Sequence, residues 1–368
     1  MVVYLIPLLA SVFGAYNFDI NKKKGGQILY YFLFIYLVLL IGLRFEVGGD
    51  TLVYMEDYKW RADLAEWEFS WTDYYEPLYT LLCALAKSMG SDFVYFQLLH
   101  SLIFNTCLFY FISKNTEYKF SALFLCFIYY YLYFSTEILR ESLAIFVFIL
   151  NYRNYERGNW GKYYLGVCVA ILFHISAVIL LVFPFVRWMK FNGTYFIMLI
   201  LSVIFFVNIN AIFPIFMNIS KISDKMSAYN DVLLTDGGFL GLILTFLIIC
   251  RFTLLPLIIY LWDKKILKES PEYEGLICFY TLLGIGAFFN TTIFERFPNY
   301  ITPLYFISLT NMLVPCLFKK ATLSRKLAGT IIFCLIVIVY TSFPARIHMR
   351  YIPYYSVFNP HSVDRNRF

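Results

Sequence analysis

Apolar residues run in twelve blocks separated by short polar segments: Val2–Tyr16, Ile28–Leu43, Pro77–Met89, Phe93–Ile112, Phe120–Phe134, Ile138–Leu150, Tyr163–Val186, Tyr195–Met217, Phe239–Trp262, Leu276–Thr292, Ile301–Phe318 and Leu327–Phe343. A bilayer's hydrocarbon core takes about 20 helical residues to cross. Several blocks fall short of that, so the pattern predicts an all-α, polytopic integral membrane protein with about 12 transmembrane or partly re-entrant helices. No transporter-type internal repeat is visible. The chain reads as one transmembrane domain over residues 1–368, with the outer loop 44–76 as a lid and the tail 344–368 outside.

Composition excludes a soluble domain: 61% of the 368 residues are hydrophobic and only 15% charged. The net charge of +6 is scattered over short loops, so it speaks of orientation and not of nucleic acid. Lys22, Lys23 and Lys24 put the first loop in the cytoplasm and the loop from Arg44 to Glu76 outside. Strict alternation then misplaces two basic clusters, Lys114 with Lys119 and Arg153, Arg157 with Lys162. Either the positive-inside rule is broken twice or some segments between Pro77 and Leu150 are not full spans. Eight cysteines lie in apolar blocks without metal-ligand spacing and read as small core residues. No basic region precedes the first apolar block, which points to a retained helix in place of a cleaved signal.

Polar residues at membrane depth are expensive, and here they cluster. Arg44, Glu46 and Asp50 sit among three glycines directly after an apolar block, with Tyr54 behind them. Glu76 precedes Pro77, where a carboxylate is either a helix cap or a functional group. Glu137, Arg140 and Glu141 are spaced to share one helical face and form an internal ion pair, with Ser135 or Thr136 as the cap. His174 lies in mid-block, with Ser176 as a local partner, and reads equally as a helix contact or a proton acceptor. Glu295 and Arg296 fall on the same side as Arg44 by alternation, as do Arg346, His348 and Arg350 after the last block. Arg44, Arg140 and Arg296 are therefore expected to converge on one outward cavity, where guanidinium forks suit a pyrophosphate. The outer loop interleaves Trp60, Trp67, Phe69, Trp71, Tyr74 and Tyr75 with acids, which fits a sugar platform or a membrane belt.

Six stretches in this order, GLRFEVGGDTLVY (42–54), EPLYTLL (76–82), STEILRESLA (135–144), LFHISA (172–177), ERFPNYITP (295–303) and YIPYY (351–355), resemble the EpsG-like family of Wzy-type O-antigen and exopolysaccharide polymerases. Gly49 departs from the family pattern, which has one glycine and a variable residue before Asp50. The resemblance implies a GT-C-like architecture in the bacterial inner membrane, with the site facing the periplasm. It implies transfer of a growing glycan from undecaprenyl pyrophosphate to an incoming lipid-linked oligosaccharide repeat unit. Membrane lipid and a chain-length regulator protein are the partners it allows; it implies neither metal nor cofactor. On this view Arg44, Arg140 and Arg296 hold the pyrophosphate, one of Asp50, Glu76 or His174 is the general base with His174 favoured, and Tyr54, Glu137, Glu141 and Glu295 meet sugars. Two other classes stay open, a lipid-linked oligosaccharide flippase or transporter, and another membrane enzyme such as a polysaccharide O-acyltransferase.

Overall fold

The structure, a computed structural model, describes residues 2–71, 73–207, 246, 249–262, 273–289, 296–318, 322–341 and 350–363. Among these residues the chain is helical, and its β pairing consists of isolated bridges, Arg44 with Ser356 and Ser356 with Asn359. Val2–Ile20 and Phe93–Asn115 are long and apolar enough to cross a membrane, and six further apolar helices span 10–17 residues. Parts of the expected blocks Tyr195–Met217, Phe239–Trp262 and Leu276–Thr292 lie outside the described residues, as do Glu295, Arg346 and His348. The chain divides into two compact units, residues 1–181 with 309–322 and 343–368, and residues 182–308 with 323–342.

In the first unit the helices are α1 (Val2–Gly14, continued by a π turn Ala15–Ile20), α2 (Gly26–Gly42), α3 (Thr51–Trp60), α4 (Pro77–Met89) and α5 (Phe93–Asn115). They are followed by α6 (Lys119–Cys126), a π turn Phe127–Tyr131, α7 (Leu132–Thr136), α8 (Leu139–Arg157) and α9 (Trp160–Phe173). The contacts of α5 give the directions of its neighbours. The Tyr30 hydroxyl donates to the Phe109 carbonyl at 2.9 Å and the Ser101 hydroxyl to the Val38 carbonyl at 2.9 Å, so α2 runs antiparallel to α5. Phe120 meets Tyr30, while the Tyr131 hydroxyl donates to Asn105 Oδ1 at 2.9 Å, so the α6–α7 rod is antiparallel as well. His100 Nε2 bonds the Leu139 carbonyl at 3.0 Å and the Phe104 ring meets Phe146, so α8 runs alongside α5 in the same direction.

These directions resolve the misplaced basic clusters. Lys22 pairs with Glu117 at 2.8 Å, and Asp19 Oδ2 accepts the Ser121 N–H at 2.7 Å, so Lys114 and Lys119 share the end of the bundle that holds Lys22. Since α8 runs with α5, Arg153 and Arg157 point to that same end. The segment that breaks the alternation is α4. Its 13 residues reach about 20 Å at 1.5 Å per residue, short of a 30 Å hydrocarbon core. It opens beside Arg140, to which Glu76 is paired, and closes under the outer loop, where Ser88 Oγ accepts the Leu64 N–H and Lys87 donates to the Lys59 carbonyl at 3.0 Å. Both of its ends therefore lie at the bundle end opposite Lys22.

The block Tyr163–Val186 is not one helix. α9 stops at Phe173, and His174 adopts an extended conformation (φ −159°, ψ 128°). A 3-10 segment, Ile175–Val182, then follows. The Tyr163 hydroxyl donates to the Leu180 carbonyl at 2.7 Å, so the segment doubles back along α9 with His174 at the tip. Apolar composition alone could not show this fold-back, because a hairpin and a single span bury the same residue types.

The second unit includes helices Gly193–Val207, Leu255–Trp262, Glu274–Phe289 and Leu323–Thr341. Phe191, Tyr195, Tyr260, Ile277 and Cys278 form a buried cluster there. Its polar ends are satisfied: the Tyr260 hydroxyl donates to Glu274 at 2.7 Å, and Tyr195 pairs with Thr281 at 2.6 Å.

Candidate functional site

The last carbonyls of a helix have no partner within it. At the end of α2 they are met from two directions. Arg44, only 1% exposed, folds back so that Nη1 donates to the Ile41 carbonyl at 2.6 Å and Nε to the Val47 carbonyl at 3.1 Å. From the carboxyl-terminal segment, the Tyr354 hydroxyl donates to the Leu40 carbonyl at 2.9 Å and the Val357 N–H to the Leu43 carbonyl at 3.0 Å. The Phe45 N–H donates to the Tyr355 carbonyl at 2.9 Å and the Gly48 N–H to the Arg350 carbonyl at 3.0 Å. Residues 350–359 thus form a strap against the loop 43–48. Burial pulls the Arg44 guanidinium down to about 10, and the hydroxyls of Tyr354, Tyr4 and Tyr131 oppose that fall. It stays a cation, placed where the negative end of α2 favours one. Nε and Nη1 of Arg44 thus cap the end of α2, while its Nη2 is buried with no hydrogen-bond partner among the described residues.

A second network joins α4, α8 and the tip at His174. Glu76 occupies the N-cap position of α4 with extended backbone, yet its carboxylate does not cap that helix. Glu76 Oε2 accepts from Arg140 Nη1 at 2.5 Å and Oε1 accepts the Ile175 N–H at 3.2 Å. The Ile175 N–H is available because the break at His174 takes it out of the helical ladder. Arg140 lies 4.2 Å from the centroid of the Tyr75 ring and 5.8 Å from that of Tyr79, and it donates to the Tyr54 hydroxyl. Arg61 lies on the same Tyr75 ring at 5.1 Å and pairs with Asp57 at 2.7 Å.

His174 is 5% exposed. Its Nδ1 accepts the Ser176 N–H at 3.2 Å and lies 2.6 Å from Ser176 Oγ. A backbone N–H is always a donor, so Nδ1 carries no proton, and a neutral ring holds its proton on Nε2. The one lone pair of the neutral imidazole is therefore engaged, and the ring is set up to donate.

Glu137 terminates the α7 rod. It was expected to share a helical face with Arg140, but the chain breaks at Glu137 and Ile138 (φ −94°, ψ 52°), so the two side chains find separate partners. Arg140 takes Glu76. Glu137 Oε2 accepts from Arg350 Nη1 at 2.7 Å, and Oε1 accepts the Tyr351 hydroxyl. Ser135 and Thr136 do not cap α8; their hydroxyls donate back to the Leu132 carbonyl. Burial pushes the Glu137 carboxyl up from its ordinary value and nearby Asp50 adds to the rise, while Arg350 and Tyr351 hold it down. Asp50 itself is exposed, at the start of α3, and its charge acts on both Glu137 and Arg350.

Of the residues expected to meet sugars, Tyr54 is packed with Tyr58, Tyr75 and Tyr79, and Glu137 and Glu141 are 3% and 2% exposed, so none of them offers an open face. The exposed rings are Trp60, Phe69, Trp71 and Tyr74 of the outer loop, which is pinned to α4 by the Trp67 indole N–H donating to Thr80 at 3.1 Å. Arg296 opens the short helix Arg296–Asn299 in the second unit. The first unit therefore brings together Asp50, Glu76, Glu137, Arg140 and His174 at one end. Arg350 is given no site role by the sequence; the signals for it are its place on the Arg44 side after the last apolar block and its position immediately before the YIPYY stretch.

No curated protein and no solved structure matches this chain. The model of the EpsG family does, over residues 27–356, and such membership carries transmembrane character and polysaccharide polymerase-type work in general. With nearly its whole length matched, the chain belongs to the EpsG family.

Proposed function

We propose that this protein is a Wzy-type repeat-unit polymerase, transferring a growing glycan from undecaprenyl pyrophosphate to the incoming lipid-linked oligosaccharide unit at the outer face of the bacterial inner membrane. The GT-C-like architecture and metal independence come from the resemblance described above. One observation carries the mechanism: a largely buried arginine, Arg140, is clamped by Glu76 beside a helix break at His174 and donates to Tyr54, which lies one turn of α3 beyond the exposed Asp50.

In the reaction the bond between the anomeric carbon and the pyrophosphate oxygen breaks, and its electron pair leaves with the pyrophosphate. The acceptor hydroxyl oxygen forms the new glycosidic bond, and its proton passes to a base. A cation counts most where charge develops and solvent screening is weak, which is the setting of Arg140 at 12% side-chain exposure. Arg296 keeps a pyrophosphate role on its sequence pattern alone. The sequence favours His174 as base, but its Nδ1 accepts the Ser176 N–H, so the neutral ring has no lone pair left to take the acceptor proton. Of the three candidate bases Glu76 and His174 are buried and Asp50 is exposed to an incoming acceptor, so Asp50 is assigned as the proton acceptor.

The test is reconstitution of purified protein in liposomes given lipid-linked repeat units. A ladder of polymer without net translocation is the expected result. Translocation without polymer, or acylated single units, would overturn the proposal.

A further inference from the structure

The strap formed by residues 350–359 is absorbed by none of the roles above, yet it touches the loop that carries Asp50. Arg350 makes the part of that contact at Gly48 and Gly49. Its carbonyl accepts the Gly48 N–H at 3.0 Å. Its side chain lies over Gly49, where a Cβ would fall 3.2 Å from Cδ and Nε and 3.3 Å from Cζ. Its guanidinium pairs with buried Glu137 at 2.7 Å and shares its charge with Asp50. Glu137 in turn is held by the Tyr351 hydroxyl, from the next residue of the strap.

A single arginine therefore pairs with a buried acid while its side chain lies against the glycine that precedes an exposed one. The buried acid is anchored in the bundle, because Glu137 ends the α7 rod and Thr136 packs on Gly48. The exposed acid sits at the end of a glycine loop, which Arg44 and Thr51 hold from the bundle side through the Val47 carbonyl and Arg350 holds from the strap side. A planar fork can engage two carboxylates at once in fixed geometry, which a lysine cannot do. The doubled glycine, the one departure from the family pattern, is where the Arg350 side chain lies against the backbone.

We infer that Arg350 is a positioning residue for Asp50: the carboxyl-terminal strap, tied to the bundle through Glu137, holds the Gly48–Asp50 loop so that the Asp50 carboxylate meets the acceptor hydroxyl. This rests on the polymerase reading for the identity of the proton donor, but not for the tie itself. Arg350 touches no reacting atom. Its loss acts through Asp50, and so appears in turnover and not in substrate affinity.

The experiment uses the full-length protein in lipid nanodiscs, with D50N, R350A, R350K and the double variant D50N/R350A. Hydrogen exchange is followed on the peptide covering residues 46–54, and kcat and KM are measured with lipid-linked repeat units. Exchange of that peptide should quicken in R350A while peptides of α5 stay protected. The kcat of R350A should fall about ten- to a hundredfold with KM within about twofold, as expected when a catalytic group is misplaced by roughly an ångström. R350K should recover part of the loss. D50N/R350A should turn over no more slowly than D50N, because a positioning residue has nothing to add once its client is gone. If R350A does not insert, E137Q/R350Q removes both charges together and leaves no buried ion unpaired. Unchanged exchange over 46–54 overturns the inference, and so do losses that multiply in the double variant. If wild type makes no polymer, the polymerase reading fails by itself, and the exchange result still decides whether the strap holds the loop.

Discussion

Arg44, buried, and Arg140, part-buried, lie at the same end of the first unit, and their partners give them different work. Arg44 donates only to backbone carbonyls, those of Ile41 and Val47. Arg140 meets a carboxylate and a set of tyrosine rings. Truncation should separate the two. R140A removes a cation from where charge develops and should cost about a hundredfold in polymerisation rate. R44A strands the buried Ile41 carbonyl at about 1–3 kcal/mol, while the Val47 carbonyl keeps the Thr51 hydroxyl, so it should lower the thermal midpoint and the yield of folded protein. The specific activity of its folded fraction should fall far less than that of R140A. Thermal melts in detergent and polymer yield per folded protein check the pair; equal activity losses with equal stability would sink the distinction. From sequence the two arginines look alike, since each is a lone charge beside an apolar block. Nothing local says whether a guanidinium will find a carbonyl or a distant glutamate.

Helix ends and breaks, not helix bodies, place the groups of interest. Gly48 (φ +113°) turns the chain from α2 into α3, and a Cβ there would meet Thr51 Oγ1 at 2.8 Å and the Thr136 carbonyl oxygen at 3.0 Å. G48A should therefore cost about 2 kcal/mol or more, from backbone strain alone. G49A should be milder, because its Cβ would press on the flexible Arg350 side chain. A thermal melt comparing the two variants checks this; G49A as harmful as G48A would show that the loop tolerates no side chain anywhere. The glycine pair announces a sharp turn in the sequence, and Pro77 announces the start of α4. The break at His174 carries no such mark, since no glycine or proline stands within LFHISA. It is held by Glu76, which lies 99 positions away from the Ile175 N–H that it accepts.

Across the first unit, Lys22, Lys114 and the direction of α8 place the basic clusters at one end, while Glu76, Arg140, Glu137 and the strap lie at the other. This agrees with the positive-inside rule without an exception in this unit, provided that α4 stays at the site end. Cysteine labelling in intact cells should show it. With the exposed native Cys168 and Cys334 replaced, D63C should react with a membrane-impermeant thiol reagent, and K114C and E156C should react only after permeabilisation. Labelling of K114C from outside would return α4 to the status of a span.

The amino-acid sequence alone determined the membrane setting, the helical class, the family and the list of polar residues out of place. Each of these follows from composition, from apolar runs or from ordered local motifs. Only the tertiary structure decided which of those residues serve one another. Glu76 with Arg140, Glu137 with Arg350 and Tyr163 with Leu180 are pairings across 64, 213 and 17 positions, made where helix breaks and returning segments bring distant groups into hydrogen-bond range. A buried charge or polar group must be paired or hydrogen-bonded, which is why Glu76, Glu137 and the Tyr163 hydroxyl had to have partners. The identity of that partner depends on the path of the whole chain.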